Sequence, residues 1–347
     1  THGIVNVGVL CPRSANNVIS HTGGVQGMEA KGGSGDVKVE RNTFYRVRRV
    51  VLGSENTDAT YYFTADGRWD YEALRSIVRN NLIIDPREAG LEFSGCADCS
   101  AVGNSILFTA AYHVPIDGGT VFGGDAIRVH DSMITGTADG AGSDCQFWNG
   151  VDYVTVDPCW GVGANAPAPI RRILRSSNVT VADNVFASVN ATFSDALGGS
   201  TIPCPLNIVD GSADLHFDGN YWWNGGHPLP ASGCSNLPEG AHSIFSTTIG
   251  SSSPGFNNGI DDSSVSTLAS SAITAMTPKP TSPIVKVGIA NTNLGSVDRA
   301  GNVRSNPPSM GALEAVCAIS QCITPQPGIW WNPAESGRGF TIDVQGN

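Results

Sequence analysis

The stretch GSGDVKVERNTF (residues 33–44) alternates apolar and polar side chains, then ends on Asn42, any residue, and Phe44. The same form returns along the chain. EALRSIVRNNLI supplies Asn80 and Leu82, and GCADCSAVGNSI supplies Asn104 and Ile106. GGDAIRVHDSMI supplies Asp131 and Met133, SSNVTVADNVF supplies Asn184 and Phe186, and GSADLHFDGNYW supplies Asn220 and Trp222. Period-two alternation marks strands. Units this short bury an apolar face only by stacking on their neighbours. The chain therefore reads as all-β, a parallel β-helix. Asn42, Asn80, Asn104, Asn184 and Asn220 are expected to stack as an inward ladder bonded to neighbouring backbone. Phe44, Leu82, Ile106, Met133, Phe186 and Trp222 form the matching core column. The Asn-Gly hairpin signals at Asn149, Asn224 and Asn258 lie outside the repeats.

Composition agrees with short strands and tight turns. Of 347 residues 42 are glycine, and only 15% are charged. The net charge of −11 argues against nucleic acid, whose phosphates need a broad basic face. No apolar run has the length of a membrane span. Thr1 reads as an internal or processed start. Nine cysteines point to an oxidising compartment and loop-closing disulfides. The pairs close in sequence are Cys96 with Cys99, Cys145 with Cys159, Cys204 with Cys234, and Cys317 with Cys322, which leaves Cys11 over. CADC could instead serve metal or redox chemistry, but no second CxxC follows it.

The expected organisation is coils over residues 1–245, a closing segment over 246–316, and a linker with a further module over 317–347. In the closing segment, SVDRAGNVRSNPPSMGALEA (residues 296–315) resembles the D-x-x-G-x-x-R…GA-x-E piece at the ends of many secreted bacterial β-helix proteins. Asp298, Gly301, Arg304, Gly311, Ala312 and Glu314 carry the match. GIWWNPAESGRGF (residues 328–340) resembles the W-x-N-P-x-x-S-G-x-G-F opening of C-terminal modules in such proteins, and implies a chain that continues past Asn347.

Aligning the repeat ends sets the strand at residues 28–31 level with residues 89–93, with Val50, Val51 and Leu52 on the coil between. The segment from Lys31 to Asn42 resembles the alginate- and chondroitin-cleaving β-helix lyases, and residues 25–223 more broadly resemble secreted bacterial β-helix repeat proteins. The resemblance implies a right-handed helix, in line with the crossover rule, and an extracellular location. It implies Lys31 as base, Arg49 as the assisting cation, and calcium near Glu29 and Glu92. The next coil itself reads VVLGSEN, so the arginines stand just before it. The implied function is engagement of an acidic polysaccharide, with β-elimination as the reaction if the protein is an enzyme. That reaction needs a base and a stabilised enolate-like intermediate. Two other readings stay open: a non-catalytic surface or adhesion scaffold, and hydrolysis by paired carboxylates. Asp66, Asp70 and Glu72 are candidate acids for the latter.

Sugar contacts are expected from Arg48 and Arg172, which can grip carboxylates bidentately, and from the rings of Trp69, Trp148, Trp160 and Trp223. The arginines serve equally as a charged solenoid edge, and the rings as loop packing. His130 beside Asp131 suggests a polarised imidazole, but strand neighbours face opposite sides. No nucleophile elbow, phosphate loop, dinucleotide fingerprint or HExxH motif is present.

Overall fold

The structure is a computed structural model. It describes residues 3–20, 26–54, 56–58, 71–86, 89–108, 125–130, 132–135, 145–148, 153–156, 172–188, 196–197, 200–201, 206–208, 213–229, 239–246, 248–257, 269–315, 328–331 and 339–342.

Three sheets of parallel strands run the length of a solenoid. The first stacks Ile4–Val7, Met28–Lys31, Val50–Gly53, Ala89–Ser94, Asp125–His130 and Leu206–Ile208. The second stacks Arg13–Ala15, Lys38–Glu40, Ile77–Arg79, Ser100–Val102, Ser177–Ala182 and Ala213–Asp218. The third stacks Val18–Ser20, Thr43–Tyr45, Leu82–Ile84, Ser105–Phe108, Val185–Ser188 and Tyr221–Asn224. The chain visits the three in turn, so each circuit is one coil of a parallel β-helix. No helix of the described residues is long and apolar enough to cross a membrane.

The asparagine ladder stands inside the solenoid. Asn42 donates to Asn81 Oδ1 at 3.1 Å, Asn81 to Asn104 at 2.9 Å, Asn104 to Asn184 at 3.0 Å and Asn184 to Asn220 at 3.0 Å. Each side chain also bonds the backbone of a neighbouring coil, as Asn104 does with the Val78 carbonyl at 2.9 Å. Beside it Ile19, Phe44, Ile83, Ile106, Phe186 and Trp222 are register partners in one core column. Phe186 and Trp222 stack with ring centroids 4.1 Å apart.

Two expectations are corrected. In the third coil the ladder residue is Asn81, not Asn80, and the core residue is Ile83, not Leu82. The residue before each rung must take a left-handed turn. Asn16, Arg41, Asn80, Asp183 and the glycines Gly103 and Gly219 all have φ between 55° and 67° at that corner. Asparagine tolerates this conformation, so Asn80 occupies the corner and Asn81 points inward. The second correction concerns residues 123–134. Asp125–His130 belongs to the first sheet, and Ser132–Thr135 pairs with Asn56–Asp58 and antiparallel with Arg172–Leu174. Met133 therefore stands outside the core column, Asp131 lies outside the described residues, and the rung above Asn104 is Asn184.

Cys96 and Cys99 form a disulfide, both sulfurs buried in the core at the corner between the first and second sheets. Cys11 is exposed and unpaired. Cys159, Cys204, Cys234, Cys317 and Cys322 lie outside the described residues. So does the side chain of Cys145, whose strand Cys145–Trp148 pairs antiparallel with Tyr153–Val156.

The last coil is closed by residues 239–246. Ile244 bridges Tyr221, and Glu239 accepts from Asn220 and from the Trp222 indole at 2.7 Å. The carboxylate of Glu239 thus stands where a further asparagine would continue the ladder. The chain then turns back along the third sheet. The outward row of that sheet, Leu82, Ile84, Leu107, Val185, Ala187 and Tyr221, is buried against Phe256, Ala272, Met276, Ile284, Met310, Ala312 and Leu313. Ala272 and Met276 come from the helix Ala269–Met276. Fully burying each large aliphatic chain contributes about 1.5–3 kcal/mol, so this closing strap covers an apolar flank as well as following the last coil. The motif residues lock the strap to itself. Asp298 accepts from the amides of Asn302 and Glu314, and Arg304 pairs with Glu314 at 3.2 Å. Farther on, Gly328–Trp331 and Gly339–Ile342 pair as an antiparallel hairpin across the Asn332-Pro333 stretch.

Candidate functional site

Register on the first sheet sorts its side chains. Met28, Val50, Leu91 and Ile127 form one row, and Ala30, Leu52, Phe93 and Val129 another; both belong to the core. Between them Glu29, Val51, Glu92 and Arg128 form an outward row, and Ser94 stands level with His130. Despite facing outward, Glu29, Arg49, Glu92, Ser94 and His130 are buried. A charged cluster thus sits on the flank of the solenoid, outside its apolar core.

Glu92 is the centre of one half. It accepts from Arg49 at 2.8 Å, meets the Arg128 guanidinium at 3.6 Å, and lies 3.0 Å from His130 Nε2. His130 Nδ1 lies 3.3 Å from Ser94 Oγ. The Ser94 hydroxyl hydrogen goes to the Ser54 carbonyl at 2.6 Å, so Ser94 faces His130 as an acceptor. Ser94, His130 and Glu92 have the composition of a nucleophile triad. The wiring is reversed, however, because the hydroxyl proton points away from the imidazole, and Ser94 has no exposed surface.

The other half joins Lys31, Glu29 and Glu72. The Lys31 ammonium is 3.7 Å from Glu29, and 27% of the Lys31 side chain is exposed. Glu72 is fully buried and accepts from the Gly32 amide at 2.7 Å, Thr57 Oγ1 at 2.8 Å and Ser132 Oγ at 3.0 Å. Burial pushes its pKa up to about 7, against the lowering effect of those three donors and the Lys31 charge. Asp183, under the strap, is raised to about 7 for the same first reason, burial.

A carboxyl whose folded pKa lies above its unfolded value binds its proton more tightly in the native state. Glu72 therefore contributes stability below about pH 4.5, and loses it as pH rises to about 7. We expect Glu72→Gln to flatten thermal stability between pH 5 and pH 8, narrowing the difference by about 2 kcal/mol. An unchanged slope in melting temperature against pH would show that Glu72 ionises normally.

Of the residues singled out from the sequence, the structure pairs Lys31 with Glu29 and Arg49 with Glu92. Arg48 is half-buried just before the Val50–Gly53 strand. Arg172 lies on a strand whose pairing is defined, with its side chain outside the described residues. Trp69, Asp66, Asp70 and Trp160 are outside the described residues, as is the side chain of Trp148. Trp223 is not an open platform: it packs against the cluster between the third sheet and the strap, with its indole nitrogen buried. Glu29 and Glu92 do not fit a shared calcium. Val51 stands between them in register, two rungs or about 10 Å of backbone, and Glu92 already faces two guanidinium groups and the His130 imidazole. Among the described residues no three His, Cys, Asp or Glu side chains gather to hold a metal.

Sequence reasoning missed Arg128 and Ser94, and it set His130 aside after weighing it against Asp131, where its partner is Glu92. The signal for Arg128 and His130 was their alternation with Ile127 and Val129, read on the first sheet in place of the second. No family model matches this chain, and no curated protein is significantly similar to it. The fold and cluster define its class by themselves: a parallel β-helix with one charged, buried flank and a strapped opposite side.

Proposed function

We propose that this is a secreted bacterial carbohydrate-active β-helix that engages an acidic extracellular polysaccharide on the outward face of its first sheet. The observation that carries the reading is Lys31, a partly exposed cation at the margin of the buried Glu29, Glu72 and Glu92 cluster. A buried carboxyl of raised pKa, here Glu72, beside a partly exposed charge is a physical mark of a functional site. Stacked strands also offer a linear polymer a contact every ~4.8 Å. If the polymer is cleaved, the reaction is β-elimination. Lys31, as its neutral amine, takes the proton from the carbon beside the substrate carboxylate, that electron pair forms a carbon–carbon double bond as the glycosidic C–O bond breaks at the next carbon, and solvent water gives the leaving oxygen its proton.

One observation favours binding without cleavage. Arg49, the candidate assisting cation, is sealed in its pair with Glu92, with 3% of its side chain exposed. The test is ultraviolet detection of unsaturated uronates from alginate, pectate, chondroitin, hyaluronan and heparan, with calcium and with chelator. Signal that falls roughly a hundredfold or more in Lys31→Ala supports the lyase. Retention of wild type in acidic-glycan affinity gels, lost in Lys31→Ala without any product, supports the binding module. Neither product nor retention would sink the proposal.

A further inference from the structure

The chain is acidic overall, yet one corner of the solenoid is basic. It is the left-handed corner between the second and third sheets, where the strap docks coil by coil. Ile289 bonds Asp183, Leu294 and Val297 accept from Asn80, and Arg299 reaches Thr43 at 3.3 Å. At this last contact the strap leaves a cavity of about 390 Å³ lined by Asn16, Arg41, Ile273, Arg299, Ala300 and Gly301.

Among the described residues no carboxylate lines it. Arg299 is 8% exposed, and its Nε is buried without a partner. Arg41 is half-buried, and among the described residues its guanidinium makes no hydrogen bond or ion pair. Asp298, the nearest acid in sequence, is occupied by Asn302 and the Glu314 amide. Burial lowers the Arg299 pKa and the Arg41 charge lowers it further, against the raising effect of the Asp298 charge. Two guanidinium groups that repel one another across a cavity are stabilised by an anion between them. Arg41 also lines the adjoining groove, where Arg13 and Arg79 share the single carboxylate of Glu40. Ile273 and Ala300 add apolar surface to the same lining, which suits the apolar face of a pyranose.

We propose that this corner binds an acidic sugar residue, with its carboxylate or sulfate held between Arg41 and Arg299. Lys31 ends the first-sheet strand of this coil and Arg41 stands at its corner between the second and third sheets, so the site is argued without the first-sheet reading. The experiment is calorimetric titration of the whole chain with sodium glucuronate, glucose and sodium sulfate. Glucuronate should bind in the millimolar range or tighter, with glucose silent. Arg41→Gln, at a half-buried position, should keep the melting temperature of wild type and weaken glucuronate about ten- to a hundredfold. Lys31→Ala should leave it unchanged, which separates this site from the other. Absence of glucuronate binding, equal binding by Arg41→Gln, or sulfate binding as tightly as glucuronate would each overturn the assignment.

Discussion

Asn104→Ala should destabilise the protein by roughly 3–6 kcal/mol, while Asn17→Ala at the open end of the same ladder should cost about 1 kcal/mol or less. Asn104 Oδ1 accepts from the amide and the side chain of Asn81, and its Nδ2 donates to the Val78 carbonyl and to Asn184. Alanine strands the buried Asn81 amide and the Val78 carbonyl, each at about 1–3 kcal/mol, and leaves a polar-lined void. Asn17 makes the same kind of bonds to Asn42 and Ser14, but it is only partly buried, so water can replace them. Asn104→Asp should be no better than alanine, because it removes the donor and buries a charge. Urea unfolding of the three variants measures this. Equal losses at Asn17 and Asn104 would mean that the ladder is decorative and the core column alone holds the coils together.

How much of this was legible follows from what a repeat reveals. The column Phe44, Ile106, Phe186, Trp222 and the rungs Asn42, Asn104, Asn184, Asn220 were readable because each coil needs one inward amide and one large apolar chain at fixed offsets. The rank of Met28–Lys31 below Val50–Gly53 and Ala89–Ser94 was readable for the same reason. Asn80 misled because corner and rung are chemically alike where two asparagines adjoin. Only the left-handed φ at the corner separates them, and that is a backbone property. Residues 123–134 misled because an alternating strand carries no label for its sheet. With that strand displaced, Arg128 and His130 could not be set against Glu92. The closing motif was recognisable, but its position was not, since nothing in the sequence says that Leu82, Leu107 and Val185 face outward onto a strap.

Arg304→Met should cost about 3–5 kcal/mol, and the loss should begin at the strap. The Arg304 side chain is 4% exposed, and burial lowers its pKa while the Glu314 charge raises it. It donates to the carbonyls of Ser309 and Gly311 and to Asn80 on the third coil, and it pairs with Glu314. Removing it leaves Glu314 buried beside Asp298 with no compensating charge. Lysine should rescue little, because one ammonium cannot address acceptors on both sides of a planar fork. The double variant Arg304→Met/Glu314→Gln should recover part of the loss, since the unmatched carboxylate goes with it. Trp223 reports the event: its ring packs in the cluster shared by the third sheet and the strap, so detachment should red-shift its emission before the ladder unfolds. A single transition, with Trp223 emission and far-ultraviolet circular dichroism changing together in every variant, would instead make strap and solenoid one cooperative unit. In that case the apolar seam of Leu82, Leu107 and Val185 holds the strap more firmly than the Arg304 lock does.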